Sequence, residues 1–216
     1  MKLINLIVIL STLFLNLNGQ NSLSLDVGFL YSKINTIVER NDPPPPQRND
    51  SFRPSYRLGF HYEIPVSRIN NVSIKTGLNF MRYGTRNYNA RDGFLETDLR
   101  TSFLILPFGV SFKTNTNFYL DVLYHLNYSI RRNQNIIALR PGEFPTEESY
   151  VYKNFSHGIE FGIGYVVKGV NIRLRHSRSI SKLWDSKDFF NIERARWYGT
   201  ISGFSISVGK YITDKE

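Results

Sequence analysis

The chain has no cysteine. That absence removes disulfide frameworks, thiolate zinc sites, iron–sulfur clusters and cysteine nucleophiles together. Long apolar runs are nearly missing too. Beyond the first twenty residues, nothing approaches the roughly 20 consecutive apolar residues that a membrane-spanning helix needs. No Gly-rich phosphate loop, HExxH, GxSxG or Walker-type run is present. Aromatic side chains are plentiful instead, with 16 Phe and 13 Tyr in 216 residues, which argues against a disordered chain. The length suits one domain.

Met1 and Lys2 precede the apolar stretch 3–17, LINLIVILSTLFLNL, which leads into Asn18-Gly19-Gln20. A short apolar run at the extreme N-terminus with a small residue at its end reads as a signal peptide cleaved after Gly19. The expected organisation is therefore a signal peptide over 1–19 and one domain over 20–216. Losing Lys2 takes the formal charge from +9 to +8. An exported, cysteine-free chain belongs in the periplasm, outside the cell, or in an outer membrane.

From Ser22 onward the apolar period is two, the signature of strands. Leu23, Leu25, Val27, Phe29 and Tyr31 share one face against Ser24, Asp26, Gly28 and Leu30. The same alternation recurs at 56–64, 72–80, 118–130, 155–167, 170–180 and 198–212. The segment Arg100–Phe112 is apolar on both faces, so its parity cannot be assigned, and Pro107 within it predicts a bulge or local distortion. These segments make eight strands. Between them, long connections (33–53, 84–98, 131–152, 181–196) alternate with short ones (65–71, 113–117, 168–169). An outer-membrane barrel has this plan: an even strand count, short periplasmic turns, long external loops. The fold class is all-β, an eight-stranded antiparallel up-and-down transmembrane β-barrel. The tetraproline 43–46 in the first long loop, flanked by Arg40, Asp42, Arg48 and Asp50, reads as a stiff loop crown.

The segment order resembles the PorT-like family of small outer-membrane β-barrels from Bacteroidetes. The resemblance rests on LSLDVGFLYSKI at 23–34, RLGFHYEIPVS at 57–67, SIKTGLNFMRYG at 73–84, SFLILPFGVSFK at 102–113, FYLDVLYHLNYSI at 118–130, FGIGYVVKGVNIRLRHSRSIS at 161–181 and ISGFSISVGKYI at 201–212. It implies a barrel in the outer membrane of a Gram-negative envelope. One branch of that family is tied to protein secretion, so an accessory role in secretion is one implied function.

The polar faces carry Asp26, Glu63, Asp121 and Glu160 against Arg57, Lys75, Arg173 and Arg175, with His61 and His125 on the same side. Eight strands enclose only enough room for side chains, so these ten residues are expected to form a paired network that plugs the lumen. A sharper alternative is a gate in which Glu160 swaps between Arg173 and Arg175. Catalysis is not expected. His176 would need a serine on its own face, yet Ser177 and Ser179 point the other way and Arg178 is the same-face neighbour. No cofactor or metal is expected. Partners are expected at the envelope: outer-membrane lipid, in particular lipid A phosphates met by Arg131, Arg132, Lys182, Lys187, Arg194 and Arg196, or a protein of the envelope or secretion machinery, but not nucleic acid. Tyr31, Tyr56, Tyr83, Tyr128, Trp197, Tyr198 and Tyr211 are expected in the interfacial aromatic girdles. The reading is a non-enzymatic barrel with a structural or interaction role. A lipid-modifying enzyme and a soluble, lipocalin-like barrel with its apolar face inward are the alternatives.

Overall fold

A computed structural model describes residues 22–40, 48–66, 71–89, 96–114, 117–138, 151–185 and 195–212. Residues 1–19, expected to be a signal peptide, and the tetraproline lie outside the described residues. Ten strands follow in order: β1 (Ser22–Arg40), β2 (Arg48–Pro65), β3 (Val72–Asn89), β4 (Glu96–Lys113), β5 (Phe118–Ala138), the two-residue β6 (Val151–Tyr152), β7 (Phe155–Val167), β8 (Val170–Ser179), the two-residue β9 (Trp184–Asp185) and β10 (Ala195–Tyr211). The eight long strands pair antiparallel with their neighbours along the chain, and β10 returns to pair with β1 from Ser24 opposite Tyr211 to Arg40 opposite Ala195. That last ladder closes the ring of eight long strands, the solution that lipid surroundings demand of backbone N–H and C=O groups.

The short connections are built for tight reversal. In the β7–β8 hairpin, Val167 pairs with Val170, and both intervening residues, Lys168 and Gly169, have positive φ (48° and 76°). That is the backbone pattern of the two-residue hairpins whose twist matches the strands. Asn71 and Asn117, at the other short turns, also have positive φ, a conformation Asn tolerates well.

Strands run further than the alternation alone suggested. β1 and β5 reach 19 and 21 residues, against the roughly 9–11 needed to cross a bilayer at a tilt. Much of the sequence assigned to long loops at 33–53, 84–98 and 131–152 is strand. Ladder hydrogen bonds continue beyond the apolar pattern, because a closed barrel goes on satisfying its backbone where it projects into water.

The apolar face is outside. Leu25, Val27 and Phe29 on β1, Val122 and Leu126 on β5, Phe161 and Ile163 on β7, and Phe204 and Ile206 on β10 are all exposed, Phe29 at 77%. Between them Ser24, Asp26, Asp121, His125, Glu160, Ser205 and Ser207 are buried. A continuous apolar belt around the molecule far exceeds the few hundred Å² that a water-soluble monomer tolerates, so its solvent is lipid. The chain is an outer-membrane β-barrel, and the inverted, lipocalin-like arrangement does not describe it.

Parity in β4 is now assigned: Thr101, Phe103, Ile105, Pro107 and Ser111 face inward. Pro107 sits opposite His125 in the β4–β5 ladder without a register shift. On its other side the β3–β4 pairing lapses between Thr76–Phe108 and Asn79–Ile105, and the Thr76 hydroxyl donates to the Pro107 carbonyl at 3.0 Å. The distortion expected at Pro107 is therefore a local gap in pairing rather than a bulge. Among the described residues the bulges lie elsewhere, between Phe52 and Arg57 on β2 and, where β4 meets β5, between Ser102 and Phe103 and between Glu96 and Thr97.

Candidate functional site

The interior has two storeys. The one nearer the short turns is charged. Asp26 enters from the lower part of β1, Glu63 from the end of β2, Lys75 from the start of β3, Asp121 from the start of β5, and Arg173 and Arg175 from the start of β8. Strand parity aims each of them inward, because a polar residue that pointed out would meet lipid.

Closure brings nine of the ten residues singled out from the sequence into one network. Arg57 forks onto Glu160, with Nη1 donating to Oε2 at 2.6 Å and Nη2 to Oε1 at 3.0 Å. Because β2 and β7 are not neighbours in the barrel, this bidentate pair spans the bore. Arg175 Nη1 donates to Asp26 Oδ2 and to Ser207 Oγ, each at 2.9 Å, and Arg175 Nε lies 3.5 Å from Glu160 Oε1. Arg173 reaches Glu63 at 3.5 Å and Asp26 at 3.6 Å. Lys75 bridges Asp121 at 2.7 Å and Glu63 at 3.1 Å. His61 Nε2 lies 3.0 Å from Asp26 Oδ1. The tenth residue, His125, stands above this web. It shares a 2.7 Å hydrogen bond with Asn127, whose amide donates to Ser156 at 3.1 Å.

Glu160 thus has Arg57 and Arg175 as its partners. Arg173, the other half of the gate considered from the sequence, is held by Glu63, Asp26 and Tyr119 instead. Sequence reasoning missed several members. Arg173 Nε donates to the Tyr119 hydroxyl, which in turn donates to Asn171 at 2.9 Å. Lys75 and Arg173 also flank the Tyr119 ring at 5.2 and 5.4 Å, a cation–π arrangement. Lys113 closes the mouth, 3.5 Å from Glu63 and 5.8 Å from the Tyr211 ring. Tyr119 shares the parity of Asp121 and could have been read from it; Lys113 carried no such signal.

Each buried acid meets at least one cation, as the cost of burying an isolated charge requires. Some buried polar atoms, among them His61 Nδ1, Arg175 Nη2 and both side-chain amide atoms of Asn79, have no protein hydrogen-bond partner. Groups of this kind are served by water in a polar interior.

The storey nearer the long loops is apolar. Leu30, Ile34, Met81, Tyr83, Phe103, Ile105, Leu183 and Ile201 form one buried cluster. Leu183 comes from a loop between strands and is fully buried. The segment carrying it is pinned by β9 against β10 and β6, by the Lys153 N–H on the Leu183 carbonyl (2.9 Å), and by the Leu183 N–H on the Gly199 carbonyl (2.7 Å). Tyr83, expected in a girdle, belongs to this cluster, edge-on to Phe103 at 5.7 Å and bonded to Met81 Sδ and Ser177 Oγ. Tyr211 likewise turns inward, its hydroxyl buried. Tyr31, Tyr56 and Tyr128 do face outward; the side chains of Trp197 and Tyr198 lie outside the described residues.

His176 faces outward against Phe204, with ring centroids 4.5 Å apart, while Ser177 and Ser179 are buried on the inner face. Neither of those two serines shares its face. Among the described residues no group of His, Asp and Glu could hold a metal ion. Arg132 is drawn toward the mouth, donating to Ser129 Oγ at 3.1 Å and to the Lys153 carbonyl at 2.7 Å. Its neighbour Arg131 is exposed on the outer wall. The side chains of Lys187, Arg194 and Arg196 lie outside the described residues.

No protein-family model matches the chain, and none of the curated proteins compared with it matches. Among solved structures it is similar to OprG from Pseudomonas aeruginosa (10% identity, 90% of this chain and 97% of that one, TM-score 0.48). It is also similar to AlkL in lipid bilayers (14%, 93% and 95%, 0.41) and to Neisserial surface protein A (12%, 89% and 99%, 0.40). All three are outer-membrane barrels, and at these values the likeness carries no functional argument.

Proposed function

We propose that this chain is a non-enzymatic outer-membrane barrel that works as a rigid, plugged scaffold, anchoring its long loops at the cell surface for structural or interaction purposes. One observation carries the reading: the bidentate Arg57–Glu160 pair crosses the bore beneath a lumen storey closed by Leu183. Ions passing through would have to break both barriers, one charged and one apolar. The plug also ties non-neighbouring strands together, which is what a scaffold for external loops needs. Within the small outer-membrane barrels, the order of the strand segments supports a PorT-like placement.

Reconstitution of the purified barrel into planar bilayers tests the scaffold. The expected trace shows no conductance steps above the lipid background. Stable ohmic steps from wild-type protein would overturn the plugged reading. Lipid A mass spectra from cells lacking and overproducing the protein test the absence of catalysis, and the expected spectra are identical.

A further inference from the structure

The outer wall carries a cationic recess that the lumen does not explain. Arg82 on β3, Ser102 on β4 and Arg131 on β5 stand in one cross-strand row, and Arg100 is the next outward residue along β4 from Ser102. Tyr56, Phe80 and Ile130 complete a depression of about 270 Å³, and none of its lining residues is acidic. A second recess beside it shares Tyr56, Arg82 and Arg100 and adds Arg53. The position is at the top of the lipid-facing belt. Tyr56 stacks on Phe80 at 5.9 Å just below, and Leu58, Leu104 and Tyr128 continue the apolar wall toward the short turns.

Backbone irregularity builds this recess. Phe103 pairs with Ser129, but the next residue, Ser102, pairs with Arg131, leaving Ile130 as the extra residue of a bulge. In β5 the odd-numbered residues from Tyr119 to Ser129 are buried. Without the bulge Arg131 would continue that parity and enter the apolar upper lumen. With it, Ile130 and Arg131 both face out and are exposed. The bulge between Phe52 and Arg57 on β2 borders the same recess from the other side. Bulges that re-aim a side chain are devices of function rather than of strand stability.

Guanidinium groups are suited to phosphate because their planar fork can donate two hydrogen bonds to it. Three of them at the upper edge of an apolar wall match a ligand that has phosphate at one end and acyl chains at the other. We infer that the recess formed by Arg82, Arg100 and Arg131 binds the phosphate of an acylated glycolipid of the outer leaflet, with its chains lying against Tyr56, Phe80 and Ile130. The inference rests on the scaffold reading only in that the long-loop end faces outward. Glycolipid phosphate here would brace the β2–β5 wall and fix the height of the barrel in the leaflet.

The test uses the full barrel in detergent, read by native mass spectrometry and by thermal unfolding. The probes are diphosphorylated lipid A, the same lipid dephosphorylated, and inorganic phosphate. The variants are the triple change Arg82→Gln, Arg100→Gln, Arg131→Gln, the single change Arg131→Lys, and Arg178→Gln as an outward arginine on the far wall. Diphosphorylated lipid A is expected to remain bound and raise the unfolding temperature of wild type and of Arg178→Gln. The triple variant should lose about tenfold or more of that affinity, since each charge-assisted bond alone contributes about that much. Arg131→Lys should fall between the two. Equal retention of the dephosphorylated lipid, unchanged binding by the triple variant, or inorganic phosphate binding as tightly as the lipid would each overturn the inference. A triple variant that does not fold hands the decision to Arg131→Lys, where binding equal to wild type overturns it. None of these outcomes bears on conductance, so this inference and the scaffold reading fail separately.

Discussion

Arg57 and Glu160 lie 103 positions apart in the chain, on strands that do not pair, and meet across the bore through two hydrogen bonds of 2.6 and 3.0 Å. Both side chains are buried, at 1% and 3% exposure. The pair is the strut of the lower lumen. Arg175 backs it from one side through its contact with Glu160, and the Asp26–Arg173–Glu63–Lys75–Asp121 chain extends it around the wall.

Removing one partner of such a pair leaves an uncompensated buried charge. Glu160→Gln and Arg57→Met are each expected to lower stability by about 3–5 kcal/mol. Urea unfolding of the barrel in lipid vesicles measures this. The double variant Arg57→Met/Glu160→Met should be less destabilised than the sum of the singles. Additive losses would mean that the two groups act independently.

Two storeys make a double lock. Leu183→Ala should cost about 2–5 kcal/mol, the range for emptying a packed leucine site, and should speed hydrogen exchange at the Leu183 amide. Conductance should nevertheless stay at background, because the charged storey below is untouched. Channel activity in Leu183→Ala alone would show that the apolar storey is the sole barrier.

Tyr119 and Gly164 are fitted to each other. A Cβ at Gly164 would run into the Tyr119 ring, and Tyr119 in turn holds Arg173 and Asn171. Gly164→Ala is expected to destabilise by about 1–3 kcal/mol through overpacking. Adding Tyr119→Leu should recover part of that loss by making room. A double variant no more stable than Gly164→Ala would put the strain elsewhere.

Lipid depth should be readable along one wall. Val122, opposite Phe161 on β7, lies midway between Phe118 and Tyr128 in the outward row of β5, whereas Ile212 sits at the short-turn rim. Val122→Arg is expected to cost about 2–4 kcal/mol and Ile212→Arg about 0–1. Equal costs at the two positions, measured by unfolding from vesicles, would mean that the belt is not centred where the girdle residues Tyr31, Tyr56 and Tyr128 place it.

The alternation of side chains is a local property, since successive residues of a strand point to opposite faces whatever the partner strand is. For that reason the sequence groups Leu25, Val27 and Phe29 against Ser24 and Asp26, counts eight strands, and names the acids and bases of the polar face. Long and short connections likewise marked the two ends of the barrel, because turn length is written directly in the chain. The sequence left open which face is inside, and it misread the facing of two aromatics, Tyr83 and Tyr211. Tyr83 sits near the end of an apolar run and looks like a girdle residue, but its odd parity in β3 sends it to the core. Tyr211 turns inward for the same reason of parity. Pro107 brings the local distortion expected of it, as a gap in pairing without a register shift, while of the bulges bordering the outer recess the one at Ile130 has no proline or glycine to announce it and the one in 52–57 contains Pro54.

What the sequence by itself determined was what period two carries: the eight long strands, the composition of each face outside the segment Arg100–Phe112, which is apolar on both, and the end at which the long connections gather. What only tertiary structure decided was which residues meet. The partner of Glu160 depends on closure of β10 onto β1, the descent of Leu183 into the bore on the pairing of β9 with β10 and β6, and the outward turn of Arg131 on the bulge between β4 and β5. Closure fixes distances between residues a hundred or more positions apart, and no local pattern encodes those distances.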